Sequence, residues 1–224
     1  MIPRELLGVA AIPGGDELRL FRRGADFMIV LDRNELMSTR MNGSEEALAT
    51  MTCARLTAGL TPHILIGGYG MGFTLRAALG ELGKAARVTV VELVPEILAW
   101  ARGPMAELTA GCLDDQRVTV IEGDVGAAIH DARSTYDAIL LDVDNGPDGL
   151  TRAGNNGLYA MRGLAAARDA LRPGGVLAVW SAAGDKAFTR ALERAGFAVE
   201  EVVVAARQNG KGPRHVIWFA TKRG

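Results

Sequence analysis

From residue 62 onward the chain alternates short β-branched runs with stretches rich in Ala, Leu, Arg and Glu. No other feature limits the fold as strongly. The strand candidates are His63–Ile66, Arg87–Val91, Arg117–Ile121, Tyr136–Leu141, Val176–Trp180, Ala198–Ala205 and His215–Ala220. Between them lie helical patterns over Phe73–Leu82, Pro95–Ala110, Val125–Ala132, Gly157–Leu171 and Lys186–Ala195. Strand–helix alternation predicts a doubly wound α/β fold, a seven-stranded and mostly parallel sheet with helices on both faces. The first four strands are nearly continuous apolar runs, as strands buried on both sides must be. The last two are separated only by the turn-rich stretch Arg207–Arg214. They should form an antiparallel hairpin closing one edge.

The first 43 residues follow a different pattern. Leu18–Phe21, Phe27–Leu31 and Glu35–Ser38 are strand-like, with Asp32-Arg33-Asn34 as a turn between the last two. The apolar run Leu6–Ile12 reads as a strand or short helix rather than a signal peptide, with Glu5 before it and Pro13 after it. Ser44 is placed to cap a linking helix that carries Glu45 and Glu46 in its first turn and runs to about Leu60, before Pro62. The expected division is a small β appendage over 1–43, then an α/β domain over 44–224 with its linking helix at 44–60.

Composition narrows the function classes. Lys and Arg number 25 against 26 Asp and Glu, a net charge of −1, so there is no overall field to hold nucleic acid. Aromatic residues make up 5%, too few for base-stacking platforms. Cys53 and Cys112 lack CxxC spacing, and His63, His130 and His215 lack metal-ligand spacing, so no metal is expected. No Ser or Cys pairs with those histidines in a hydrolase motif. No apolar run approaches the roughly 18–20 residues of a membrane span. The expectation is a soluble, cytoplasmic protein without membrane or nucleic-acid partners. Arg207, Lys211 and Arg214 read as a solvated hairpin loop, and Trp100, Trp180 and Trp218 as packing residues.

The 28 glycines are informative where they cluster. Ile66-Gly-Gly-Tyr-Gly-Met-Gly72 joins the first core strand to its helix, the turn at which doubly wound sheets bind ligands. The dinucleotide fingerprint GxGxxG would need a glycine at Phe73, and the Lys-Ser/Thr of a P-loop is absent. The spacing is Gly68-x-Gly70-x-Gly72, similar to that of class I S-adenosylmethionine (SAM) enzymes. Acidic residues follow at the next strand tips: Glu92, then Glu122-Gly123-Asp124, then Asp142-Val143-Asp144. A carboxylate at the second tip can accept from both ribose hydroxyls, and one at the third can accept an exocyclic amine.

These motifs resemble the class I SAM-dependent transferases and, within them, the spermidine synthase family. Phe27–Thr39 looks like that family's N-terminal hairpin, Tyr136-Asp-Ala-Ile-Leu-Leu-Asp142 like its Tyr-Asp-x-Ile-x-x-Asp strand, and Gly157-Leu-Tyr159 like the start of its next helix. The resemblance implies a donor, SAM or decarboxylated SAM, held by Gly67, Gly68, Gly70, Gly72, Glu92, Asp124 and the adjoining Val125. It implies Asp142 as catalytic base with Asp144 behind it, and Glu45, Glu46 and Tyr159 beside a small amine acceptor such as a polyamine. It also implies a homodimer through the N-terminal hairpin. One departure stands out. Where the family carries an Asp in the glycine loop to hold the donor's ammonium tail, this chain has Gly70 or Met71, depending on the alignment. Aminopropyl transfer, methyl transfer by the same fold, and nucleoside binding without catalysis are the three readings that follow.

Overall fold

The computed structural model describes residues 2–12, 16–57, 61–143 and 156–223. Seven strands form the central sheet: β5 (His63–Gly67), β6 (Arg87–Glu92), β7 (Val118–Glu122), β8 (Tyr136–Leu141), β9 (Leu171–Ser181), β10 (Phe197–Ala205) and β11 (Arg214–Lys222). Their order is β10-β11-β9-β8-β5-β6-β7. The pairs among β5 to β9 are parallel, whereas β11 runs antiparallel to both β9 and β10. The doubly wound α/β expectation and its closing hairpin are therefore met. Strand order reverses at β5, which makes its carboxyl end the switch point of the sheet.

The period of two along each strand divides the interior. Ile64 and Ile66 of β5, Leu140 of β8 and Phe219 of β11 face one core, while Leu65, Ile139 and Trp218 face the other. The first core is covered by α1 (Gly43–Cys53), α2 (Phe73–Glu81) and α3 (Pro95–Arg102), and the second by α5 (Val125–Asp131), α7 (Met161–Ala170) and α8 (Lys186–Arg194). All three tryptophans are buried.

The N-terminal region forms an antiparallel sheet in chain order: β1 (Glu5–Ala11), β2 (Glu17–Arg23), β3 (Asp26–Leu31) and β4 (Asn34–Ser38). The run left open as strand or helix is thus the strand β1. Leu18, Leu20 and Ile29 turn inward and join the first core. Trp100 of α3 seats its indole where a side chain on Gly8 would go, docking this sheet on the α/β body.

Four boundaries differ from the sequence reading. Asn42, not Ser44, precedes α1, and Ser44 is fully buried inside its first turn. The helix ends at Cys53 rather than near Leu60, where Arg55 turns back to donate to Met51 O (2.8 Å) and to Glu200 (2.7 Å). The expected helix over 95–110 breaks into α3 and α4 (Ala106–Thr109) around Gly103-Pro104, since proline cannot continue the hydrogen-bond ladder. The 157–171 pattern divides into α6 (Asn156–Tyr159) and α7, and Leu171 already pairs with Tyr136 as the start of β9.

Candidate functional site

Main-chain bonds prolong the sheet past its strand ends and fix the site's frame. Gly68 N donates to Val91 O (2.9 Å), Asp142 N to Gly67 O (3.0 Å) and Gly123 N to Glu92 O (2.8 Å). The glycine turn, Glu92, Gly123 and Asp142 are thereby held side by side. Gly68 has φ +83°, and a Cβ there would run into the main-chain carbonyl of Asp142. Only glycine lets the turn lie this close to the tip of β8.

A cavity of about 170 Å³ opens on this frame. Its polar rim is Gly68, Gly70, Glu92, Gly123, Asp124 and Asp142, with Val125 adjoining. Its floor is Val91, Leu93, Val94 and Ile97. Its roof comes from the N-terminal sheet through Leu18, Ile29, Leu36 and Met37, with Ile12 just after β1. Glu45 of α1 and Trp180 of β9 complete the wall.

Glu92 is 5% exposed and accepts from Tyr69 N at 2.8 Å and Val94 N at 2.9 Å. Burial raises its pKa, opposed by these backbone donors. The carboxylate clamps the glycine turn to β6 and still has lone pairs to offer the cavity. Asp124 caps α5, accepting from Gly126 N at 2.6 Å, and lines the cavity as well. Both carboxylates fit the hydroxyl and amine edges of a nucleoside.

Asp142 accepts from Thr74 Oγ1 at 2.8 Å. It shows part of its surface to the cavity, yet protein around it keeps bulk water away, and desolvation pushes its pKa up to about 6. Burial and the neighbouring Asp142 charge push Glu45 up to about 8. A base with a pKa near 6 is ionised at neutral pH and still basic enough to accept a proton from an amine.

Of the residues singled out in the sequence, Gly68, Gly70, Glu92, Asp124, Val125, Asp142 and Glu45 meet at the cavity. Gly67 and Gly72 shape the turn behind it, Gly72 as the left-handed residue before α2. Glu46 points elsewhere, bonded to Asn42 (3.1 Å) and Gln208 (2.7 Å). Tyr159 is outside the lining and packs edge-on against Phe188 in the second core, because α6 sits on that face of the sheet. Asp144 lies outside the described residues. Sequence reasoning missed Thr74, Met37, Trp180 and the contact of Ser44 with His215. Thr74 stands two positions after the last glycine, a place where a hydroxyl could have been noticed.

The loop position without an acid has a structural counterpart. A Cβ on Gly70, whose φ is +55°, would lie 2.7 Å from Met37 Cε and 2.8 Å from Met37 Sδ. A thioether from β4 occupies the space into which a side chain at 70 would grow.

Residues 43–191 match the family model of the spermine/spermidine synthase domain. The chain belongs to this family. Polyamine aminopropyltransferase 1 of Streptomyces coelicolor is 34% identical over 150 residues, which cover 62% of the chain and 27% of that protein. The polyamine aminopropyltransferase of Mycobacterium tuberculosis is 30% identical over 168 residues, covering 73% of the chain and 30% of that protein. The chain thus matches less than a third of the length of either relative. The family's fold extends over nearly the whole chain. A spermidine synthase from Thermotoga maritima superposes with a TM-score of 0.74 at 17% identity, covering 97% of the chain and 72% of that structure. A spermidine synthase bound to the transition-state analogue AdoDATO gives 0.73 at 18% identity with the same coverage.

Among the described residues no group of three or more His, Cys, Asp or Glu side chains could hold a metal ion. None of the described helices is long and apolar enough to cross a membrane.

Proposed function

We propose that the chain transfers an aminopropyl group from decarboxylated SAM to an amine acceptor of the polyamine class. The observation that carries this reading is the meeting of Glu92, Asp124 and Asp142 around one glycine turn. Glu92 is suited to the ribose hydroxyls, Asp124 to the adenine amine and Asp142 to the acceptor nitrogen. The relatives' names support aminopropyl over methyl transfer.

The donor brings an activated carbon–sulfur bond, so the chain's work is positioning and deprotonation. Alignment of two bound reactants is worth up to about 7–11 kcal/mol. Asp142, oriented by Thr74, takes a proton from the acceptor ammonium so that the nitrogen lone pair can attack. The apolar roof keeps water from competing for the same carbon.

Calorimetry with decarboxylated SAM and with SAM, followed by detection of methylthioadenosine released in the presence of putrescine, tests this reading. Decarboxylated SAM should bind and turn over, and Asp142→Asn should lower kcat by about 10²–10⁴ with binding retained. Failure of the unmodified chain to bind decarboxylated SAM, or unchanged turnover in Asp142→Asn, refutes it.

A further inference from the structure

Among the described residues four carboxyl groups line the cavity, and none of them is ion-paired. Glu45 and Asp142 both line it, and the charged groups acting on Glu45 from outside its own helix reduce to Asp142. The bonds of Glu45 run to the far side of the wall. Ser44 Oγ donates to Glu45 Oε2 at 2.8 Å and sits 2.9 Å from Nδ1 of His215 on β11. A hydroxyl has a single proton to give. With Ser44 donating to Glu45, the ring of His215 presents Nδ1–H to Ser44. Trp180, itself a cavity residue, packs edge-on against that ring at 4.8 Å. On the other side, Thr74 Oγ1 reaches both Asp142 Oδ2 (2.8 Å) and the main-chain oxygen of Glu45 (3.4 Å). One string of polar atoms therefore runs from the cavity through Ser44 to a half-buried histidine.

Resting on the aminopropyl reading, we infer that Glu45 and Asp142 work as one proton-sharing unit. Ser44 and His215 are the positioning residues that hold Glu45. Two neighbouring carboxyls in a dry site do not both ionise without a cation, so the resting unit carries one negative charge. An entering ammonium supplies the missing cation. Its proton passes to the carboxylate of Asp142, the freed lone pair forms the N–C bond, and the C–S bond breaks with its electron pair going to sulfur. The unit then holds one proton too many. That proton is released from the unit to solvent as the products leave. Among the described residues the titratable groups acting on Glu45 are Asp142, just past β8, and Glu46 on its own helix, while His215 of β11 stands behind Ser44 with its pKa lowered by burial.

The experiment is a ¹³C-carboxyl NMR titration of the full chain, with signals assigned by their loss in Glu45→Gln and Asp142→Asn. Two coupled steps are expected, near pH 6 and pH 8, with a single step left in Glu45→Gln. The Ser44 hydrogen bond lowers the pKa of Glu45, so Ser44→Ala raises the upper step. His215→Phe does the same by freeing Ser44 to turn away, while His215→Asn keeps an N–H near the Nδ1 position and leaves the step in place. A purely structural His215 would leave the upper step in place in His215→Phe. An ordinary carboxylate titration for Glu45, or an upper step unmoved in both Ser44→Ala and His215→Phe, overturns the inference. Turnover of decarboxylated SAM with putrescine separates the two ideas: His215→Phe should lower kcat about tenfold, with KM little changed. Turnover with uncoupled carboxyls sinks the proton-sharing unit alone. Coupled carboxyls without turnover by the unmodified chain sink the aminopropyl reading instead.

Discussion

Placing an aspartate at Gly70 restores a charge at the loop position from which Met37 excludes it, and the contacts give the cost. Position 70 has φ +55°, and the left-handed conformation costs a residue with a side chain about 1–2 kcal/mol, nearer the lower figure for Asp. The new Cβ would meet Met37 Cε at 2.7 Å and Sδ at 2.8 Å, the far end of a flexible side chain. Moving it aside adds about 1–2 kcal/mol, the lower part of the overpacking range. Gly70→Asp should therefore lose about 2–3 kcal/mol, a fall in Tm of roughly 4–12 °C for a chain of this size. Met37 is only half-buried, so Met37→Ala should cost about 1–2 kcal/mol, less than truncation of a fully buried methionine. In the double variant the collision disappears. Urea denaturation of the four proteins should then show a coupling of about 1–2 kcal/mol in favour of the pair. Calorimetry should show the double variant preferring decarboxylated SAM over SAM more than the parent does, by about tenfold or more for one charge-assisted bond. Additivity within about 0.5 kcal/mol would refute the claim that Met37 fills the space beside Gly70.

Glu92→Gln leaves one of two buried backbone donors facing an amide NH₂. It should cost about 1–3 kcal/mol and weaken methylthioadenosine binding, measured by urea denaturation and calorimetry; a fully stable variant with parental affinity contradicts the clamp. Gly68→Ala drives a Cβ into the Asp142 carbonyl at φ +83°, so donor binding should be lost even if the chain folds, as a thermal-shift series with decarboxylated SAM would show. The folded pKa values of Glu45 and Asp142, about 8 and about 6, lie above the unfolded ones, so the folded state keeps protons that the unfolded chain releases. Stability should fall as pH rises from about 4 to about 8, and Glu45→Gln should flatten that slope and exceed the parent's stability at pH 8. A parent more stable at pH 8 than at pH 5, with an equally steep variant, speaks against the buried pair.

The doubly wound sheet could be read from periodicity because its inner strands β5, β6, β8 and β9 are buried on both faces and leave continuous apolar runs. Strand β7, expected to be buried as well, lies instead at the sheet edge and exposes Thr119, Ile121 and Glu122. Glycine spacing and strand-tip acids marked the cavity rim for a related reason: a backbone that must approach a ligand admits few residue types, and a carboxylate at a strand tip stands out against apolar neighbours. What stayed hidden depends on packing between distant segments. Nothing local to Met37 indicates that it reaches Gly70, and the pairing of Ser44 with His215 joins residues 171 positions apart. Ser44 looked like a helix cap because caps and buried hydroxyls have the same composition. The polar bonds of a wholly buried side chain appear only once β11 lies against α1. Gly103-Pro104, by contrast, was a visible helix break that the Ala- and Leu-rich pattern around it outweighed.

The distribution of charge around the cavity points to one further consequence. Removing an acid from the glycine loop does not leave the pocket neutral, because Glu45 lines the same space from α1, and its charge is conditional. Asp142 raises the cost of ionising Glu45, so a full negative charge on both groups forms only when a cation is present to share. An acid fixed on the loop would be bonded to the turn and ionised whether or not substrate had arrived. On the proposed reading an acid on α1, held by Ser44, can instead gain and lose a proton within one turnover. The apolar roof from the N-terminal sheet makes that coupling strong, since the same two carboxyls in open water would titrate almost independently. On the proposed reading the four-stranded sheet that precedes the matched residues 43–191 would serve the chemistry through the dielectric it imposes, and polar substitutions at Leu36 or Ile29 should bring the two carboxyl titrations closer together.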